Sequence, residues 1–158
     1  MVDRLGELGD VREAVLHLTD ERRERLRVET LRVVEYLRGE SVQAAAQRVH
    51  RVVPGFVVQF GDQQTRDMTK EKMWGRIEGP PVGVAEFSKL RRHVRGAVAL
   101  AHNGDASKAD TQMYVTLADT PRLDNKYVVF GKVISGMDVV DKLKYADRIV
   151  RVTVREAK

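Results

Sequence analysis

The stretch His50-Arg51-Val52-Val53-Pro54-Gly55-Phe56-Val57-Val58-Gln59-Phe60-Gly61-Asp62 constrains this chain more than any other. Two β-branched runs flank Pro54-Gly55, a pair that favours a tight reversal, so the stretch reads as two short strands folded into a hairpin. Arg51 sits mid-strand among valines and Gln59 sits mid-strand on the other arm. Alternation along a strand puts Val49, Arg51 and Val53 on one face. An arginine on an apolar strand is costly to bury without a partner, so Arg51 either lies on a solvated face or lines a site.

The 158 residues suit one compact domain, 1–158, large enough to bury a core. The chain has no cysteine, so disulfides and thiolate metal sites are excluded. No apolar run approaches the roughly 18 residues of a membrane span. Met1 to Asp10 is charged and lacks the apolar segment of a signal peptide, and the expected compartment is the cytoplasm. The net charge of +5 permits an acidic partner. The basic residues are scattered, however, with no basic-aromatic motif, and nucleic acid is not the expected partner.

Taken in order, Ala14 to Leu18 reads as a strand, although Val11, Val15 and Leu18 also fall at helical spacing. Residues 21–38 carry an apolar stripe through Leu31, Val34 and Leu37, and Gly39 follows, which predicts a helix. Residues 62–96 are rich in glycine, proline and charge and predict a long ordered surface loop. Ala97 to Ala101 is a strand of small residues. In the strand Thr111 to Leu117, Met113, Val115 and Leu117 face the core while Gln112, Tyr114 and Thr116 form a polar-aromatic surface. A further strand runs to Val133, Gly136 opens a short helix, and Arg148 to Arg155 alternates as a last strand. Strands at irregular spacing with two helices predict a mainly β fold, a closed barrel with helices over its ends.

His17, His50, His93 and His102 show no metal-ligand spacing and read as structural, His50 as a core histidine with its hydrogen bonds satisfied. No serine stands in a nucleophile-elbow context and no glycine pattern matches a phosphate-binding loop. Neither a metal nor a cofactor is expected.

The hairpin resembles the signature of the cyclophilin family of peptidyl-prolyl isomerases, departing only at Val49, where the family has Phe, and at Phe60, where it has Gly. Two later stretches resemble further family motifs in the right order: Ala97–Ala101 leading to Thr111–Val115, and Pro121–Val133. Residues 1–48 match least. The resemblance implies a closed eight-stranded antiparallel β-barrel capped by two α-helices, and so a strand within 11–18 paired in the barrel. It implies isomerisation of X-Pro bonds in proline-containing peptides and in unfolded or partly folded proteins, by a monomer. Arg51 would be the catalytic residue with Gln59 orienting it. Phe56, Val57, Tyr114, Leu123 and Tyr127 would hold the proline, and Ala101, His102 and Gln112 the residue before it. Arg122 stands where the family carries a rim aromatic, usually Trp, which implies weak binding of cyclosporin-type ligands. The alternative is a scaffold or chaperone module that binds proline peptides without turnover.

Overall fold

The structure, a computed structural model, describes residues 15–17, 47–76, 79–81 and 85–150. Six strands form one antiparallel sheet: β1 (Val15–His17), β2 (Arg51–Val53), β3 (Val57–Phe60), β4 (Ala97–Leu100), β5 (Met113–Thr116) and β6 (Val129–Ser135). Their order across the sheet is β1-β6-β4-β5-β3-β2. The strand expected within 11–18 is β1, which pairs with β6. The helix expected over 21–38 and the last strand beyond Val150 lie outside the described residues. Among the described residues the α-helix is α1 (Met137–Val140), which starts from Gly136 at φ +85°. Among the described residues the sheet has six strands and is open, with β1 and β2 at its edges, rather than the expected closed barrel of eight. Beyond β2 the pairing continues, since the Val49 amide donates to Asp147 and the Ile149 amide to Gln47, at 2.9 and 2.8 Å.

The β2–β3 hairpin forms as its residues dictate. Arg51 pairs with Gln59 and Val53 with Val57 across the strands. The Phe56 amide closes the turn on the Val53 carbonyl at 3.0 Å, and Gly55 takes the positive φ that a glycine accepts without strain. Alternation fails just upstream. Val49, expected on the Arg51 face, packs instead with Val58 and Val115 on the other side of the sheet, because β2 begins only at Arg51 and the chain before it is irregular.

Both sheet faces are covered. Val58, Val98, Leu100, Met113, Val115, Phe130 and Val140 form one core, and Val57, Ala97, Ala99, Ala101, Tyr114 and Val129 form a second. Fully buried valines such as Val58 and Val98 each contribute about 1.5–3 kcal/mol. The second core corrects the expected polar surface of β5: Gln112, Tyr114 and Thr116 are 6%, 4% and 0% exposed. Their burial is tolerated because polar partners meet them. The Thr116 hydroxyl donates to the Val94 carbonyl at 2.6 Å and accepts the Ala97 amide at 3.0 Å.

The long loop is ordered at its start by two 3-10 segments, Gln63–Arg66 and Met68–Met73, in which the Asp62 and Asp67 carboxylates accept the Gln64 and Thr69 amides.

Candidate functional site

One face of β2, β3 and β5 opens into a groove of about 320 Å³. Arg51, Phe56, Val57, Gln59, Ala101, His102, Gln112, Tyr114, Leu123 and Tyr127 all line it. Sheet register explains how residues so far apart in sequence meet. Gln59 stands opposite both Arg51 on β2 and Tyr114 on β5, and Tyr114 stands opposite Ala99 on β4. Arg51, Gln59 and Tyr114 are thus a row across three strands, while the Pro-Gly turn carries Phe56 to one end of the row.

Arg51 is exposed and lightly held. Its Nη1 donates to Gln59 Oε1 at 3.4 Å, and its guanidinium carbon lies 5.9 Å from the Phe56 ring centroid. The floor beneath it is tightly bonded. Asp124 Oδ1 lies 2.9 Å from His93 Nδ1, and His93 Nε2 lies 2.9 Å from the Tyr114 hydroxyl. A carboxylate only accepts, so His93 Nδ1 donates to Asp124, and Nε2 on the opposite side of the ring shares a hydrogen bond with the Tyr114 hydroxyl. Asp124 also accepts the His93 amide at 2.9 Å and Arg92 Nη1 at 3.0 Å. These bonds, the His93 amide first, lower its carboxyl from the ordinary 3.8 to about 2. Burial pushes the Tyr114 hydroxyl well above its ordinary value, so it remains a neutral donor.

The walls are aromatic. Tyr127 meets Tyr114 edge to face at 5.8 Å and stacks on His102 at 4.3 Å, while His102 Nε2 is fixed by the Lys126 carbonyl at 2.9 Å. Arg122 lies over the Phe56 ring, its guanidinium carbon 4.5 Å from the centroid.

Gly75, Asn103, Lys108 and Asp110 also line the groove and were not singled out from the sequence. Asp62 Oδ2 accepts the Gly75 amide and Asp110 Oδ2 the Gly79 amide, both at 2.6 Å, so two buried carboxylates pin the long loop beside the site. Nothing local signals these contacts, which span 13 and 31 residues. His93, read as structural, is the centre of the bonded floor. His50 is buried as expected, but neither ring nitrogen has a protein hydrogen-bond partner, and desolvation lowers its pKa.

The family model for cyclophilin type peptidyl-prolyl cis-trans isomerases (CLD) matches residues 35–157. The chain belongs to this family. Among relatives, the Brucella abortus protein named "Probable peptidyl-prolyl cis-trans isomerase" is 41% identical over 99 residues, covering 60% of this chain and 50% of that one. The Gallus gallus peptidyl-prolyl cis-trans isomerase-like 3 is 38% identical over 96 residues, covering 60% of this chain and 56% of its own. The chain thus spans about half the length of the curated relatives it matches. In fold it resembles a crystal structure of a Cryptosporidium parvum cyclophilin type isomerase, with a TM-score of 0.61 at 20% identity over 78% of this chain and 82% of that one. A structure of the same parasite protein in the presence of the dipeptide Ala-Pro gives a TM-score of 0.58 at 20% identity, over 72% and 73% of the two chains.

Proposed function

We propose that this cyclophilin-family chain accelerates cis-trans isomerisation of X-Pro bonds, with Arg51 as its catalytic residue. The observation that carries the reading is the row Arg51, Gln59 and Tyr114 facing one groove beside Phe56 and Leu123. The X-Pro bond turns slowly because rotation breaks amide resonance, across a barrier of about 18–20 kcal/mol. Lowering it requires groups that favour the twisted amide over either planar form. In the twisted state the prolyl nitrogen becomes pyramidal and gains a lone pair. A permanently charged guanidinium donates to that lone pair. Gln59 limits the directions Arg51 samples. Phe56, Val57, Leu123, Tyr114 and Tyr127 grip the ring, and Ala101, His102 and Gln112 align the residue before it.

The same reading includes the finer fold, a closed eight-stranded barrel capped by two helices. It is supported by the bonds that extend the sheet from residues 47–49 to 146–149. The substrates are proline-containing peptides and incompletely folded proteins. The C. parvum relative, whose crystal structure was obtained in the presence of the dipeptide Ala-Pro, supports a proline-containing substrate for this groove. Cyclosporin-type ligands bind weakly because Arg122 offers no indole donor. NMR exchange on an Ala-Pro peptide tests the reading: the chain should raise the cis-trans exchange rate. Binding without acceleration would replace the enzyme with a proline-peptide binding module.

A further inference from the structure

The two ends of the groove differ in charge. At the end lined by Ala101, His102 and Gln112, the cation Lys108 is matched by Asp105 at 3.9 Å, while the Asp110 carboxylate is buried and held by the Gly79 and Gln112 amides. At the Phe56 end, two guanidinium groups lie over one aromatic ring, Arg122 at 4.5 Å and Arg51 at 5.9 Å. Arg122 is exposed and has no ion pair among the described residues. Asp124 is two positions away, but its carboxylate is 8% exposed and already bound by His93 and Arg92. The Phe56 ring holds Arg122 by a face contact that leaves the guanidinium edge, with its N–H donors, available. Such an edge binds a carboxylate in two parallel hydrogen bonds.

Strand register gives the groove a direction. The Phe56 carbonyl accepts the Leu117 amide at one end of β5, and the Ala101 amide donates to the Gln112 carbonyl at the other. On the isomerase reading, the residue before proline lies at the Ala101–Gln112 end. The residue after proline therefore leaves past Phe56 and Arg122. We propose that Arg122, with Arg51 beside it, is a specificity-determining residue that favours substrates with Asp or Glu immediately after the proline.

This inference rests on the isomerase reading, and the test separates the two. Three peptides identical except for Glu, Ala or Lys after the proline are compared by NMR exchange for kcat/KM and by chemical-shift titration for Kd. The expected order is Glu, then Ala, then Lys, with Glu about five-fold ahead of Lys. The preference should shrink in about 1 M salt, where charges are screened beyond roughly 3 Å. Arg122→Glu should reverse the order and Arg122→Ala should flatten it. Lys132→Glu makes the same charge change at an exposed position of β6 that pairs with His17 and Ala97 and has no contact with Phe56, and should keep the wild-type order. Equal acceleration and equal affinity for all three peptides overturn the charge selection and leave the isomerase standing. Ordered affinities without any acceleration overturn the isomerase and leave the charge selection standing. Absence of both acceleration and binding overturns both.

Discussion

The rim and the floor of the groove are built in opposite ways. The rim is the β2–β3 hairpin, where exposed Arg51 has a single long hydrogen bond among the described residues, to Gln59 at 3.4 Å. The floor is β5, where Tyr114 is 4% exposed and bonded through His93 to Asp124, each link at 2.9 Å. The contrast follows from what each region must do. A charged donor that meets a rotating amide needs reach and a hydrated ground state. An apolar seat for a proline ring needs fixed shape, which buried, fully bonded polar groups provide. Loss of the rim should therefore be felt in rate, and loss of the floor in stability.

The largest expected effect breaks the rim alone. Arg51→Ala should fold with an unchanged thermal midpoint yet lose a factor of roughly 10²–10³ in kcat/KM, or about 3–4 kcal/mol, by analogy with removing an oriented donor from a transition state. Arg51→Lys should restore little, because an ammonium lacks the planar fork. A near-normal exchange rate in Arg51→Ala would remove the rim from catalysis.

Next is the junction between the two regions. Gly61 follows β3 at φ +99°, and a methyl group there would run into the Thr111 carbonyl oxygen. Gly61→Ala should lower unfolding free energy by roughly 3 kcal/mol in urea titration, from overlap and positive φ together. An unchanged midpoint would mean that this close approach is dispensable.

The floor itself is probed by Asp124→Ala, which strands the His93 amide and Nδ1–H. About 1–3 kcal/mol of stability should be lost, with a smaller proportional loss of rate than Arg51→Ala causes. The pH dependence has a definite sign. The folded carboxyl titrates at about 2, below its ordinary 3.8, so it contributes fully above about pH 4 and loses its contribution as pH falls towards 2. Denaturation curves across that window should steepen for the wild type relative to Asp124→Ala; parallel curves would contradict the bonded floor.

The smallest effect sharpens the comparison. Tyr114→Phe keeps the ring and removes one donor, which should cost about 1 kcal/mol of stability. Exchange rates should change less than about three-fold, because the ring still seats the substrate. A larger drop in rate would make the floor a chemical participant.

Local signals were enough for part of this. The hairpin, the Pro54-Gly55 turn and the helix after Gly136 follow from β-branching, turn chemistry and periodicity over a few residues, whereas the strand around Val15 followed from the resemblance. The ten groove residues followed from motifs carried by resemblance, since no spacing relates Arg51 to Gln112 or Leu123. The sequence could also state which residues of β5 share a face, because alternation is a property of the strand alone. Whether that face is covered was decided by the tertiary structure. Tyr114 and Thr116 look like surface residues until His93 and Val94, about twenty residues upstream, meet their hydroxyls. The side taken by Val49 likewise depended on where the ladder begins, and the placement of Arg122 over Phe56 on how two distant turns pack. Strand faces are set by bonds between neighbours in sequence; burial of a polar face is set by partners that only the folded chain brings within hydrogen-bond distance.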